Sequence, residues 1–172
     1  YGGCGLEFAR WADSSCALPS QNPFWIANVW GHSTTRCHWR NLQYSQERLH
    51  ELFDAKVYLA DVDPLTGQMT PEEVVRCCEK FKIKKIKILL TMYNGGYPQN
   101  SNLFKKFKKI YGCYIVEDSC HALGATYKIR KKIYKIGSCT HSDISTFSFH
   151  PLKSITTGEG GAITTNVKKI YE

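Results

Sequence analysis

From residue 56 to residue 165, short apolar runs alternate with longer amphipathic stretches along the chain. The runs at 56–60, 86–90 and 113–116 are rich in aliphatic residues and tyrosine, as is typical of buried strands. The first connecting stretch offers Thr70 as an N-cap and Pro71 at the first helical position, which favours a helix. This order of strand, helix, strand, helix and strand predicts an α/β fold with a mostly parallel sheet and right-handed crossovers.

The two predicted helices carry apolar residues at helical spacing, which predicts one face of each helix against the sheet. In the first helix these residues are Val74, Val75, Cys77, Cys78 and Phe81. In the second helix they are Leu103, Phe104, Phe107 and Ile110. Two more strands are expected at 144–149 and 161–165, joined by a tight glycine-rich turn.

The composition is that of an ordinary globular protein and excludes several other classes. Hydrophobic residues make up 42% of the chain, and no apolar run approaches the ~20 residues that span a bilayer. The N-terminal residues lack a secretory leader pattern, so we expect a cytoplasmic protein. The net charge of +8 would suit nucleic acid, but the lysines alternate with core residues and no nucleic-acid module is recognisable. We therefore expect a solvated lysine-rich surface, with neither a nucleic-acid partner nor a membrane.

The eight cysteines of the chain do not define a metal site. Zinc sites usually present paired ligands at short, regular spacing. The candidate ligands in the first part of the chain lack such spacing; they are Cys4, Cys16, His32, Cys37 and His38. Several later cysteines lie within predicted helices and strands. We expect no metal, and we expect these cysteines to be buried, reduced thiols.

The composition changes sharply near residue 54. All four tryptophans lie before this point, as do four arginines, but no lysine does. After this point lysine is the dominant basic residue. The first part also lacks sustained periodicity, and only the stretch YSQERLHELF predicts a short helix. Two interpretations stay open: residues 1–54 are a foreign or out-of-frame segment joined to a genuine domain at 55–172, or they are a divergent N-terminal subdomain.

Two positions stand where an α/β sheet binds its ligands, beyond the carboxyl ends of the strands. Asp118 comes after the apolar run that ends at Val116, and Glu117 lies between them. Lys153 lies in the turn between the last two predicted strands, among serines, threonines and glycines that allow a ligand to approach closely. A carboxylate and an amine at such positions are candidates for chemistry, although Asp118 could instead cap the following turn.

Two stretches around these residues resemble the cofactor-binding core of a known enzyme family. VEDSCHALGATY contains the pattern E-D-x-x-[HQ]-x-x-G-A, and FSFHPLKSITTGEGG contains F-S-F-[HN]-x-x-K-x-x-x-x-G-E-G-G. Together they resemble the DegT/DnrJ/EryC1/StrS family, which are nucleotide-sugar aminotransferases that depend on pyridoxal 5'-phosphate (PLP). The resemblance covers about residues 55–172. It implies a fragment of the large domain of the PLP-dependent transferases (fold type I, as in aspartate aminotransferase), with flanking helices on a mostly parallel sheet.

Carried over residue by residue, the resemblance implies roles for four side chains. Lys153 would hold PLP as a Schiff base and move the proton between the substrate carbon and the cofactor. Asp118 would pair with the pyridine nitrogen and keep it protonated. His121 would lie against the cofactor ring, and Ser148 would donate its hydroxyl to the phosphate.

Other roles are structural. For His121 the alternative is a hydrogen-bonded core histidine. His150 is expected to be structural rather than catalytic, and Glu159 to brace the glycine-rich turn.

The chain also departs from the family pattern. The helix N-terminus that normally cradles the PLP phosphate, and the aromatic residue that stacks on the ring, should lie upstream of residue 56 but are not recognisable in residues 1–54. Residues 92–96, MYNGG, stand where the family has a histidine before its glycine turn. The family continues downstream into a small second domain. We therefore interpret the chain as a partial large domain.

The resemblance implies transfer of an amino group, with glutamate as the expected donor, to a nucleotide-linked keto-sugar for surface-polysaccharide or amino-sugar synthesis. The loop around Lys153 most resembles enzymes that aminate C4 of UDP-linked 4-keto-6-deoxy-hexosamines. The full-length protein is expected to form a homodimer. Two alternatives stay open: a noncatalytic remnant or basic binding module, and a PLP-dependent sugar dehydratase, against which Lys153 argues because those enzymes replace it with histidine.

Overall fold

The structure, a computed structural model, describes residues 56–171 and the backbone of residues 24–28. The strands are β1 (Phe24–Asn28), β2 (Lys56–Ala60), β3 (Ile88–Met92), β4 (Tyr114–Asp118), β5 (Thr126–Ile129), β6 (Lys132–Lys135), β7 (Ile144–Ser148) and β8 (Gly161–Thr165). The helices are α1 (Pro71–Lys80), α2 (Ser101–Tyr111) and α3 (Lys168–Tyr171). A 3-10 turn spans Asn94–Gly96.

The main sheet has six strands in the order β2-β1-β3-β4-β7-β8. Its pairs are parallel from β2 to β7, and β8 returns antiparallel to β7. The carboxyl ends of β3, β4 and β7 therefore lie at one edge, which we call the carboxyl edge. This arrangement confirms the predicted α/β class with a mostly parallel sheet.

The sheet has two faces that differ in their cover. Leu89 and Ile115 lie on one face and pack with buried residues of α1 and α2, so we call it the helix face. Ile88, Val116 and Ile144 form a second cluster, against which Ile170 of α3 packs. We call this the front face. Successive side chains of a strand point to opposite faces. The later residues of β3, β4 and β7 can therefore be assigned to the helix face or the front face by counting from these residues.

Helix α1 begins as the sequence predicts. The Thr70 side chain accepts a hydrogen bond from the Glu73 backbone N–H at 3.3 Å, and Pro71 occupies the first turn. Of the predicted apolar face, Val74, Cys77 and Cys78 are buried. The prediction was wrong for Val75 and Phe81, which are exposed. Val75 lies about 100° around the helix from Val74, and Phe81 is already the C-cap, where its ring packs on Tyr58.

Helix α2 buries Phe104 and Phe107 and ends at Tyr111, with Gly112 as its C-cap. The expected contribution of Ile110 to this face was wrong, because its side chain is 71% exposed. Tyr111 takes the position next along the stripe, four residues after Phe107, and its ring stacks on that of Phe107 at 5.8 Å between centroids.

Several strand bounds differ from the predictions. Strand β3 covers 88–92 instead of 86–90, β4 covers 114–118 instead of 113–116, and β7 ends at 148 instead of 149. Strand β8 matches the predicted 161–165. The hairpin of β5 and β6 was not predicted, and it forms a separate two-stranded sheet.

Strand β1 lies within the main sheet, between β2 and β3. The sequence analysis assigned no strand there, because the first part of the chain shows neither a sustained helical stripe nor a clean alternation. The predicted helix YSQERLHELF and the candidate ligands Cys4, Cys16, His32, Cys37 and His38 lie outside the described residues. The division of the chain near residue 54 stays a prediction.

The cysteines of the described region are buried and form no disulfide bond with one another; they are Cys77, Cys78, Cys113, Cys120 and Cys139. Burial raises the pKa of the Cys77 and Cys113 thiols to about 11, so both are protonated at neutral pH. Within residues 56–171, none of the helices has the length and apolar character needed to cross a bilayer.

Candidate active site

Three parallel strands bring polar side chains to the carboxyl edge. Asp118 is the last residue of β4, and its register partners are Met92 at the end of β3 and Thr146 in β7. Ser148 is the last residue of β7. Adjacent parallel strands ending at one edge create the crevice in which α/β sheets bind ligands.

Asp118 and Ser148 lie on the same face of the sheet. Asp118 follows Val116, and Ser148 follows Ile144 and Thr146, in steps of two residues. Val116 and Ile144 both belong to the front-face cluster, so alternation places Asp118 and Ser148 on that face too. Ser148 lies two residues beyond Thr146, the register partner of Asp118, which is roughly 7 Å further along the strand direction.

The backbone around Asp118 is held from both sides. The Asp118 carbonyl accepts a hydrogen bond from the Tyr93 backbone N–H at 3.1 Å, and Ser119 N–H donates to the Thr146 carbonyl at 2.9 Å. The carboxylate oxygen Oδ1 accepts from the Cys120 backbone N–H at 3.0 Å. The half-buried carboxylate is therefore anchored through one oxygen, and within residues 56–171 it makes no further side-chain hydrogen bond.

Lys153 lies in the loop between β7 and β8, shortly after Ser148. The loop is organised by its own backbone: Lys153 N–H donates to the His150 carbonyl at 2.9 Å, and Phe149 N–H donates to the Gly160 carbonyl at 2.8 Å. The Lys153 side chain is half-buried, and its amine has no ion-pair or hydrogen-bond partner among the described residues. A primary amine is thus carried on the loop between β7 and β8, which its own backbone hydrogen bonds organise.

The neighbours of Lys153 shape this loop. His150 accepts the Leu152 N–H on Nδ1 at 3.3 Å, in addition to the contact of its carbonyl with the Lys153 N–H. Its structural role stays a prediction. Glu159 was expected to stabilise the glycine-rich turn. Its backbone contacts the turn, because the Thr157 hydroxyl donates to the Glu159 carbonyl at 2.8 Å, whereas its carboxylate is exposed.

His121 also lies at the carboxyl edge, in the turn after β4. Its main chain packs closely on the 3-10 turn, since a Cβ on Gly96 would lie 2.4 Å from the His121 carbonyl oxygen. The residue itself is exposed, so the alternative of a core histidine does not apply. Its predicted contact with a cofactor ring stays a prediction.

The sequence analysis missed two groups at this edge. Thr146 lies beside Asp118, and its hydroxyl donates to the Glu117 carbonyl at 3.3 Å. Glu117 and Tyr93 are buried on the opposite face and are hydrogen-bonded to each other. A glutamate within the apolar run YIVED was the available signal, because an ionisable residue in a buried strand requires a partner.

The side chains at the carboxyl edge suit PLP. An amine can hold its aldehyde carbon, a carboxylate can pair with its pyridine nitrogen, and a hydroxyl can donate to its phosphate. Lys153, Asp118 and Ser148 provide these three groups on β4, β7 and the loop that leaves β7.

The chain is similar to known aminotransferases. The family model of the DegT/DnrJ/EryC1/StrS aminotransferases matches residues 50–172. GDP-perosamine synthase of Escherichia coli O157:H7 is 34% identical over 112 residues, which cover 65% of this chain and 28% of the synthase. UDP-4-amino-4,6-dideoxy-N-acetyl-beta-L-altrosamine transaminase of Campylobacter jejuni is 47% identical over 76 residues, covering 44% of this chain and 19% of the transaminase. The matched part of the chain therefore spans less than a third of either relative.

A solved structure shows the same fold. PseC of Helicobacter pylori, an aminotransferase involved in the biosynthesis of pseudoaminic acid, superposes with a TM-score of 0.67 at 21% identity, covering 97% of this chain and 39% of PseC. This likeness confirms the predicted aminotransferase fold with its mostly parallel sheet and flanking helices. With the family model matching most of its length, the chain belongs to the DegT/DnrJ/EryC1/StrS aminotransferase family.

Proposed function

We propose that the protein uses PLP to transfer an amino group from an amino-acid donor, with glutamate as the expected donor, to a nucleotide-linked keto-sugar. The observation that carries this proposal is the joint position of Lys153, Asp118 and Ser148 at the ends of adjacent parallel strands and the following loop. Membership in an aminotransferase family, and the sugar-derived names of two relatives, support the substrate class.

The proposed roles follow from the chemistry of each side chain. Lys153 holds the cofactor and, once released, moves a proton at the substrate carbon that carries the amino group. Asp118 pairs with the pyridine nitrogen, Ser148 donates to the phosphate, and His121 lies against the ring. PLP, when bound, supplies the electron sink that transamination needs.

The finer assignments are proposals of the same kind. Amination at C4 of a UDP-linked 4-keto-6-deoxy-hexosamine agrees with the name of the Campylobacter transaminase. A homodimer, a role in surface-polysaccharide or amino-sugar synthesis and a cytoplasmic location fit the family. The helix N-terminus that would cradle the phosphate has no recognisable pattern in residues 1–54.

A second candidate is a noncatalytic remnant or basic binding module, favoured by that missing cradle pattern. A dehydratase role is opposed by Lys153 itself.

Reduction with borohydride separates these candidates. The chain is incubated with PLP, reduced, digested and mapped by mass spectrometry. Lys153 is expected to carry the cofactor, and Lys153→Ala to lose it while keeping its fold, since the residue lies on a loop and not in the core. Lys128→Ala, at an exposed lysine of β5, is the matched control and should retain the adduct. A reduced adduct that persists in Lys153→Ala would contradict the assignment.

A further inference from the structure

Three buried side chains lie behind the carboxyl edge, on the helix face of the sheet. Tyr93 is 1% exposed, Glu117 is 4% exposed, and Ser101 at the start of α2 is also buried. The Tyr93 hydroxyl donates to Glu117 Oε1 at 2.5 Å and lies 2.7 Å from Ser101 Oγ. We call these three residues the Tyr93 cluster.

We propose that the Tyr93 cluster is a positioning device that fixes the Asp118 carboxylate toward the bound cofactor. The inference rests on the function proposed above for Asp118. None of the three residues lies on the front face, so they act through the backbone of β3 and β4 and touch neither cofactor nor substrate.

Tyr93 contacts both members of the Glu117–Asp118 pair. Its hydroxyl binds the Glu117 side chain on the helix face, and its backbone N–H donates to the Asp118 carbonyl at 3.1 Å. Because consecutive side chains of a strand point to opposite faces, holding Glu117 inward holds Asp118 outward. One residue thus constrains the orientation of the strand end that carries the candidate cofactor ligand.

The hydroxyl matters because Glu117 is deeply buried. Desolvation raises the pKa of Glu117, and the hydrogen bond from Tyr93 opposes this rise by stabilising the charged form. Without the hydroxyl, the carboxylate would lose a buried donor, which is costly for a charged group. We expect the strand end to relax toward solvent, taking Asp118 out of position.

A second buried carboxylate offers a matched control. Asp143 precedes β7, at the opposite, amino end of the sheet, where it forms an ion pair with Lys108 and accepts from the Ile115 backbone N–H at 2.9 Å. Loss of this charge should lower stability without moving Asp118. A positioning role and a general structural role therefore predict different results for the two networks.

The test compares Tyr93→Phe, Glu117→Gln and Asp143→Asn in the full chain. The first measurement is hydrogen exchange of the Cys120 backbone amide without cofactor, because this amide donates to Asp118. The second is the affinity for PLP without an amino donor, with the pH midpoint of the visible absorption of the bound cofactor. Urea unfolding of each variant gives its loss of stability.

Tyr93→Phe is expected to speed Cys120 exchange and to weaken PLP binding by about tenfold or more, equivalent to about 1.4 kcal/mol, with a shifted pH midpoint. Glu117→Gln keeps an acceptor for Tyr93 and should fall between Tyr93→Phe and the wild type. Asp143→Asn should lose stability but leave Cys120 exchange and PLP affinity unchanged.

Equal effects of Tyr93→Phe and Asp143→Asn on Cys120 exchange would overturn the positioning role. So would a Tyr93→Phe variant that binds PLP as the wild type does. If the wild-type chain fails to take PLP at Lys153, the proposed function fails, and the exchange measurement still decides whether the cluster orders the strand end.

Discussion

Glu117 and Asp118 are adjacent carboxylates in two different environments. Glu117 is buried on the helix face beneath α2, whereas Asp118 is half-buried at the carboxyl edge and anchored by the Cys120 N–H. The strand's alternation creates this difference, since one peptide step moves a side chain from one face to the other. Two identical functional groups can thereby serve stability and chemistry separately.

Glu117→Gln should change how stability depends on pH. The folded-state pKa of Glu117 is raised by burial, so its contribution to stability is fully present below the unfolded value of about 4.3 and is lost as pH rises through the folded value. Glutamine does not titrate, so the decline should be smaller by about 1.4 kcal/mol for each pKa unit of the shift. Urea unfolding from pH 4 to pH 8 measures this, and parallel curves for variant and wild type would contradict it.

Asp118→Asn should separate cofactor attachment from turnover. Attachment through Lys153 is expected to persist, because the amine lies on a different element. The half-reaction with glutamate should slow by orders of magnitude, because the amide cannot keep the pyridine nitrogen protonated. Stopped-flow absorbance measures the rate, with the exposed Glu72→Gln as a control. A rate near that of the wild type would mean that Asp118 has another role.

The 3-10 turn after β3 is clamped between two neighbouring segments. Buried Gln68 binds the backbone of Asn94 twice, donating from Nε2 to the carbonyl at 2.9 Å and accepting from the N–H at 3.3 Å. On its other side the turn packs on the main chain of His121 through Gly96. The loops after β2, β3 and β4 are therefore tied together at the carboxyl edge.

Gly95 and Gly96 form a matched pair for testing this clamp. Both have positive φ, but a Cβ on Gly96 would meet the His121 carbonyl oxygen at 2.4 Å, whereas a Cβ on Gly95 meets nothing within 4 Å. Gly95→Ala should cost about 1 kcal/mol of unfolding free energy from backbone strain. Gly96→Ala should cost about 1–3 kcal/mol more, because a main-chain segment must move. Urea unfolding of both variants decides this, and equal losses would show that the turn is not clamped.

The sequence predicted the elements whose signals are local. Thr70 and Pro71 mark the start of α1 by contacts within one turn, and Asp118 and Lys153 follow apolar runs that end abruptly. The β5–β6 hairpin was not predicted, because its turn contains Arg130 with a φ of 54° and lacks the glycine or asparagine that usually indicates such a turn. The Tyr93 cluster was not predicted, because it depends on the pairing of β3 with β4 and on the position of the start of α2. No local sequence pattern indicates these long-range contacts.

Exposed apolar side chains collect in the loops that follow the parallel strands. Leu65 after β2 is 93% exposed and Leu152 after β7 is 88% exposed, and Tyr97 and Ile155 are exposed in the same set of loops. Apolar side chains grouped at one edge favour association, because burial of each removes hydrocarbon from water. We expect the chain to self-associate through the carboxyl edge.

Leu152→Ser should weaken this association. A leucine that becomes fully buried on association contributes about 1.5–3 kcal/mol to the association free energy. Its loss therefore shifts the equilibrium toward the monomer by roughly tenfold or more. Sedimentation equilibrium over a range of concentrations measures the shift. Ile110→Ser, on the exposed side of α2, is the control and should leave the equilibrium unchanged. A monomeric wild-type chain, or equal effects of both variants, would contradict the expectation.

The interior position of β1, between β2 and β3, has a consequence for the order in which the sheet can assemble. Residues 24–28 are synthesised before every other strand of the sheet, yet one of their two neighbours, β3, follows only after α1. Half of the hydrogen-bonding edge of β1 must therefore wait for a distant part of the chain, and long-range parallel pairing is slow. Pulsed hydrogen exchange during refolding should show that the β1 amides on the β3 side gain protection no earlier than the amides of β3. Earlier protection would mean that β1 finds its place without its inner neighbour.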